Sequence, residues 1–345
     1  MSGDGEIARL SLKDAAARAR AEAPVVVHMQ NAARRLGGMP FKAFDLLSLY
    51  AFVRPARFCL PTPKGVEAAL GLAEPKSMED SAGALLEAAR LLLAELAAAK
   101  PDADVADLAW IMADAGWAWG PVVARATAAS GATGASASGR GFEVWRRLPV
   151  WREDAPDGEP SQQPVPIEEA RRRLTEMLGD DAEPRPQQAD YASACSAAFQ
   201  PRETDEAPDL VLAEAGTGVG KTLGYLAPAS LWAEKNGAPV WIATYTRNLQ
   251  RQIDDELDRL YPLAADKQAH VVVRKGRENY LCLLNFEEAA RGGRGRPEDA
   301  IALGLMARWA MATRDGDLVG GDMPGWLVDL IGPRYALGLA DRRGE

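Results

Sequence analysis

Residues Ala213 to Ala229 read AEAGTGVGKTLGYLAPA, and the apolar run DLVLAEA that leads into them starts at Asp209. The order is apolar strand, glycine-rich turn from Gly216 to Gly220, a Lys221-Thr222 pair, then a helix carried on by LGYLAPA. Glycines let a backbone turn tightly and aim consecutive N–H groups at phosphate oxygens, and the helix N-terminus adds positive dipole. In that arrangement Lys221 reaches the β- and γ-phosphates of a bound triphosphate and the Thr222 hydroxyl takes a Mg²⁺ ion. The cradle consists of Ala215, Gly216, Thr217, Gly218, Val219, Gly220, Lys221 and Thr222, with Lys221 and Thr222 as the catalytic candidates. A glycine turn that binds nothing is the plain alternative. The register of strand, Gly-x-Gly, Lys-Thr and helix favours phosphate, and strand–loop–helix alternation from Leu210 onward predicts a parallel α/β sheet.

Composition bounds what surrounds this loop. A chain of 345 residues with 47% hydrophobic content holds two or three domains with substantial cores. The amino terminus MSGDGEIARLSL is acidic and has neither the basic region nor the apolar run of a secretory signal. The most apolar helical stretch, LLEAARLLLAELAAA, is interrupted by Glu87, Arg90 and Glu95, so no bilayer span is expected. Cys59, Cys195 and Cys282 are too scattered for a disulfide framework, which fits a reducing, cytoplasmic setting. A net charge of -9 argues against a wholly basic nucleic-acid coat but leaves room for a local positive groove.

Along the chain the expected order is a mainly helical accessory region over 1–130, a linker over 131–166, the phosphate-loop region over 167–270 and a further region over 271–345. In the first, PVVVHM reads as a short strand, and Leu85, Ala89, Leu92 and Leu96 fall on one helix face. The linker is read from ASGATGASASGRG and WREDAPDGEPSQQPVP, rich in Gly, Ser, Pro and acids. There is no internal repeat.

Three flanking features bear on which phosphate-binding machine this is. Ala215 stands where the general loop pattern has glycine, giving A-x-x-G-x-G-K-T. Upstream, Arg185 to Gln188 read RPQQ, and a glutamine amide can both donate to and accept from an adenine edge; a solvated helix start is the bland alternative. Downstream, PVWIATYTRNLQRQI (Pro239 to Ile253) offers a buried strand, a Thr-rich turn and a polar helix, equally readable as an ordinary β-to-α turn. Then comes VVVRKGRENYLC, Val271 to Cys282.

In order and content these stretches resemble the Q motif, motif I, motif Ia and the K-G-R-x-N-Y-x-C segment of superfamily 2 helicases of the iron-sulfur DinG and XPD branch. The likeness covers roughly Ile167 to the end of the chain. It implies a RecA-like motor fold with the start of an inserted iron-sulfur domain, and ATP with Mg²⁺ as ligands. Gln188 and Arg185 then recognise adenine, while Thr244, Thr246, Arg247 and Gln250 contact the DNA backbone. Cys282 becomes one ligand of a [4Fe-4S] cluster, which needs four cysteines. The implied activity is ATP-driven translocation on single-stranded DNA with unwinding of forked duplex, by a monomer with no membrane partner.

Two departures qualify that expectation. No D-E-A-H-like stretch follows Lys221 to hold Mg²⁺ and activate water; DEAP, Asp205 to Pro208, precedes the loop and reads as solvated linker. Cys282 also lacks three partners, since Cys59 precedes the motor region and Cys195 in YASACSAAF reads as a buried helical cysteine; either Cys282 is a lone structural cysteine or its partners lie beyond Glu345. The chain is thus expected to be the front part of a longer helicase, continuing past Glu345 with a second cluster cysteine close by, and to bind nucleotide without hydrolysing it. Arg291, Arg294 and Arg296 either attract DNA or form a plain Arg/Gly loop.

The accessory region faintly resembles the later part of the exonuclease domain fused to some DinG relatives. Asp45 is nearly isolated there, His28 reads as a packed strand residue, and no nuclease activity is expected. Trp110, Trp117 and Trp119 read as core anchors. Two rivals remain: another P-loop ATPase or kinase, and a non-catalytic nucleotide-binding interaction module.

Overall fold

The computed structural model describes residues 7–129, 138–148, 161–179, 182–183, 185–202, 209–292 and 297–342. The DEAP stretch, Arg294 and Arg296 lie outside the described residues. The chain divides into two compact units, residues 1–151 with 275–345, and residues 152–274.

Among its described residues the first unit is mainly helical, with one parallel strand pair, in which Val25 lies opposite Phe44 and Val26 opposite Asp45, and isolated antiparallel bridges joining Tyr280 to Asp317 and Leu281 to Ala340. Val25–Val26 is the strand expected in PVVVHM, and the mostly helical architecture with a small parallel sheet fits the α/β reading at that coarse level. Side-chain caps set where helices begin. Ser77 accepts from Asp80 N at 3.0 Å to open Met78–Ala98, and Asp102 accepts from Val105 N at 2.9 Å to open Ala103–Asp114. The Met78–Ala98 helix buries Ala89, Leu92 and Leu96, with Leu85 half-buried on the same side, as the spacing predicts.

The core of this unit centres on Leu46–Val53, a helix buried over nearly its whole length. Around it sit Leu92, Met112 and Trp117, together with Phe286, Leu303, Met306 and Trp309 from the far end of the chain. Residues 7–129 and 138–148 therefore share one apolar interior with residues 275–292 and 297–342. Trp117 Nε1 donates to Ser48 Oγ at 2.9 Å and Trp119 Nε1 to the Asp45 carbonyl at 2.7 Å, so both indoles are anchors with satisfied N–H groups. Trp110 differs from expectation. It remains 37% exposed, because the buried face of its helix is formed by Val105, Ala106, Leu108, Ala109 and Met112.

Asp45 accepts from Met29 N at 2.6 Å and Ser48 N at 3.1 Å, tying two helix starts to the strand pair. His28, buried as expected of a packed residue, accepts weakly from Asn31 N at 3.4 Å. Within the stretch read as linker, residues 138–148 fold onto the Ala103–Asp114 helix. Buried Asp107 accepts from Ser138 N at 2.6 Å and Gly141 N at 2.9 Å, and Phe142 and Val144 enter the core behind them. Composition marked these residues as loop; the buried carboxylate gives the loop a fixed place.

The second unit has a smaller core. Ile167–Leu178, Pro186–Ser196 and Lys221–Asn236 pack through Leu174, Met177, Ala192, Leu223, Leu226 and Ala227. Arg173 adds a two-pronged bond to Glu234 at 2.9 and 2.5 Å, and that partner raises the guanidinium pKa. The strands expected at 209–215 and 240–243 run without helix and without sheet partners among the described residues. Leu210, Leu212 and Trp241 are 82%, 90% and 81% exposed. A parallel strand exists only through neighbours that bond to it and cover its faces, and these runs have neither. Among the described residues no helix is long and apolar enough to cross a membrane.

Candidate functional site

The glycine-rich loop sits in the second unit, where Gly220 ends the turn and Lys221–Asn236 begins. Gly218 and Gly220 have φ of +82° and +85°, the left-handed region that side chains disfavour, so glycine is required at both. The turn therefore has the backbone shape that glycine spacing promised. Pro228 lies buried inside the following helix, and Gly237, at φ +60°, follows its last residue.

Three side chains hold the turn. Lys221 Nζ donates to the carbonyls of Ala215 and Gly216, each at 2.8 Å, arching back over the loop it follows. Arg185 Nη1 donates to the Gly218 carbonyl at 3.2 Å. Gln188, 2% exposed, donates from Nε2 to the Gly220 carbonyl at 2.9 Å, while its Oε1 has no partner. Thus the Arg-x-x-Gln pair read as an adenine contact lies directly on the glycine-rich loop.

A cleft of about 620 Å³ opens beside the loop, lined by Lys221, Thr222, Tyr191, Tyr225, Trp241 and Thr244 among others. It brings the Lys-Thr pair and the Thr-rich turn of the downstream motif to one surface. Tyr191 and Tyr225 were not singled out from sequence. For Tyr191 the signal was Gly224, one turn after Lys221: a Cβ there would meet Tyr191 Cδ1 at 2.7 Å, so the glycine lets the two helices touch. Burial raises the pKa of both phenols, and a hydrogen bond with Thr222 partly offsets the rise at Tyr225.

The four DNA-contact candidates have different surroundings. Thr246 Oγ1 caps Arg247–Leu257 by accepting from Leu249 N at 3.2 Å, and Thr244 Oγ1 donates to the Thr246 carbonyl at 3.4 Å. Gln250 Nε2 donates to the Arg274 carbonyl at 2.7 Å. Arg247 is exposed, beside Tyr245 at 99% exposure.

Cys282 lies in the first unit, buried, with its N–H donating to the Leu339 carbonyl at 2.8 Å. The residues before it are braced from the 313–323 loop: Lys275 pairs with buried Asp317 and donates to the Val319 carbonyl at 2.8 Å, and Leu318 N donates to the Asn279 carbonyl at 2.7 Å. Asp317 is a partner sequence reading missed, since nothing in DGD marks which carboxylate turns inward. Cys59 is also buried in the first unit, its thiol pushed up to about 12 by that burial, whereas Cys195 belongs to the second unit. Among the described residues no three metal-ligating side chains converge, so this set does not by itself fit an iron-sulfur cluster. The loop, by contrast, fits a Mg-triphosphate: paired left-handed glycines, an ammonium over the turn and a hydroxyl at the helix start.

The chain is similar to curated proteins named as ATP-dependent helicases and to one named as an exonuclease. It is 35% identical over 116 residues to the 3'-5' exonuclease DinG of Bacillus subtilis, matching 33% of this chain and 12% of that protein. Against the ATP-dependent DNA helicase YoaA of Escherichia coli it is 38% identical over 109 residues, 31% of this chain and 16% of the relative. Against the ATP-dependent helicase DinG of Mycobacterium tuberculosis it is 34% identical over 151 residues, 38% of this chain and 21% of the relative. The chain thus spans between about an eighth and a fifth of the length of these relatives. No family model and no solved structure matches.

Proposed function

We propose that the second unit is the nucleotide-binding front part of an ATP-dependent DNA helicase motor of the DinG and YoaA kind. The observation that carries this reading is the loop, with Gly218 and Gly220 at positive φ directly before a Lys-Thr helix start. The likeness to proteins named as ATP-dependent helicases supports it. Bound Mg-ATP supplies the phosphoanhydride whose cleavage powers such motors. Toward it, Lys221 exchanges the carbonyls of Ala215 and Gly216 for phosphate oxygens, Thr222 offers its hydroxyl to Mg²⁺, and Arg185 and Gln188 flank the loop.

The runs at 209–215 and 240–243 are, in this reading, strands of a RecA-like parallel sheet. Their exposed Leu210, Leu212 and Trp241 supply the apolar surface that neighbours in such a sheet cover. Single-stranded and forked DNA are the substrates, held by a monomeric cytoplasmic protein through the turn that carries Thr244, Thr246, Arg247 and Gln250. Because no D-E-A-H-like stretch follows Lys221, the 345-residue chain binds nucleotide without turning it over.

The test is made on the product of the complete reading frame. DNA-stimulated ATP hydrolysis with unwinding of a forked duplex is expected. Hydrolysis indifferent to DNA would favour a different P-loop enzyme.

A further inference from the structure

We infer that Gln188 and Arg185 are positioning residues for the phosphate loop, holding its two left-handed glycines in shape before nucleotide arrives. The inference rests on the nucleotide reading above but assigns these side chains a task separate from recognising adenine.

Gln188 is buried to 2% exposure, and its Nε2 donates to the Gly220 carbonyl at 2.9 Å. The amide can sit only one way round, because the flipped orientation would set oxygen against oxygen. A Cβ at position 220 would meet that amide at 2.2 Å, so a side chain there would have to displace Gln188 from the loop, in addition to adopting the strained φ of +85°. Arg185 grips the other left-handed residue, donating to the Gly218 carbonyl at 3.2 Å. Gln188 N donates to the Arg185 carbonyl at 3.0 Å, so the two donors are set by the first turn of one helix. Residues three apart on a helix share a face. Here that face takes the two carbonyls whose peptide orientations define the loop.

The arrangement leaves Gln188 Oε1 buried and unpartnered. A buried acceptor without a donor is costly, and it is tolerated where a ligand brings the donor. The same amide can thus keep Nε2 on the loop and offer Oε1 to an incoming N–H. Fixing the loop in advance lowers the ordering cost of binding any polyphosphate, with or without a base.

The measurement is calorimetric titration of the 345-residue chain with Mg-tripolyphosphate and with Mg-ATP. Gln188→Ala is expected to weaken both ligands by a similar factor, about three- to tenfold for one lost hydrogen bond. Arg185→Ala, on the exposed side, should weaken both about twofold. Hydrogen exchange of the amides over 216–222 in the nucleotide-free chain should accelerate in Gln188→Ala. Should that variant not fold, Gln188→Glu keeps the side chain's size but loses its donor when ionised. Its tripolyphosphate affinity relative to wild type at the same pH should fall near neutrality and recover in acid. Unchanged tripolyphosphate affinity and unchanged loop exchange, with ATP alone weakened, would overturn the inference and leave Gln188 as an adenine reader. The nucleotide reading fails separately, if Lys221→Ala leaves tripolyphosphate binding intact.

Discussion

Asp45 is a buried carboxylate whose hydrogen bonds are all structural. Both its oxygens are engaged by backbone donors, from Met29 and Ser48, and its carbonyl takes the indole of Trp119. Burial raises its pKa, against the lowering effect of those same N–H groups. The folded state therefore holds the Asp45 proton more tightly than the unfolded chain does. Its contribution to stability is fully present below the ordinary aspartate pKa and is lost as pH rises through the raised value. Wild type minus Asp45→Asn stability, from paired thermal melts, is expected to fall as pH rises across that window. Parallel profiles would refute the assignment. Asp45→Ala removes both caps and should cost about 1–3 kcal/mol, read from denaturant midpoints.

Between elements, the contact of Tyr191 with Gly224 joins Pro186–Ser196 to Lys221–Asn236. Gly224→Ala must push the ring out of a packed position, and about 1–3 kcal/mol of destabilisation of this unit is expected in urea melts, with local exchange rising in both helices. A Gly224→Ala chain of wild-type stability would show that the helices can slide apart at no cost. The loop and its helix were legible in sequence because their rules are local: glycine where φ is positive, a Lys-Thr pair at a helix start. The strands around them were not, since an apolar run states a wish to be buried but names no neighbour. Leu210, Leu212 and Trp241 carry the right pattern and still stand in the open. Asp107 shows the converse, a single inward carboxylate fixing a Gly/Ser stretch that composition alone reads as linker.

Over the whole molecule, the first unit is assembled from parts far apart in the chain. Trp326 Nε1 donates to the Cys59 carbonyl at 2.9 Å, Arg308 Nε to the Phe52 carbonyl at 2.8 Å, and Trp145 meets Phe286 edge-on at 6.3 Å. No local pattern announces such pairings, because they depend on where the two ends of the chain meet. Phe286→Ala, which empties a fully buried ring site, should cost about 3–5 kcal/mol. Residues 7–129 and 138–148 should then lose exchange protection together with residues 275–292 and 297–342; loss confined to the later segments would contradict a shared core.

The central claim is that the turn before Lys221 holds a nucleoside triphosphate. Titration of Mg-ATP into the 345-residue chain and its Lys221→Ala variant tests it most directly. Saturable binding, weakened at least about tenfold by removal of the ammonium, is the expected result. Equal affinity in the two proteins, with the variant still folded, would contradict it.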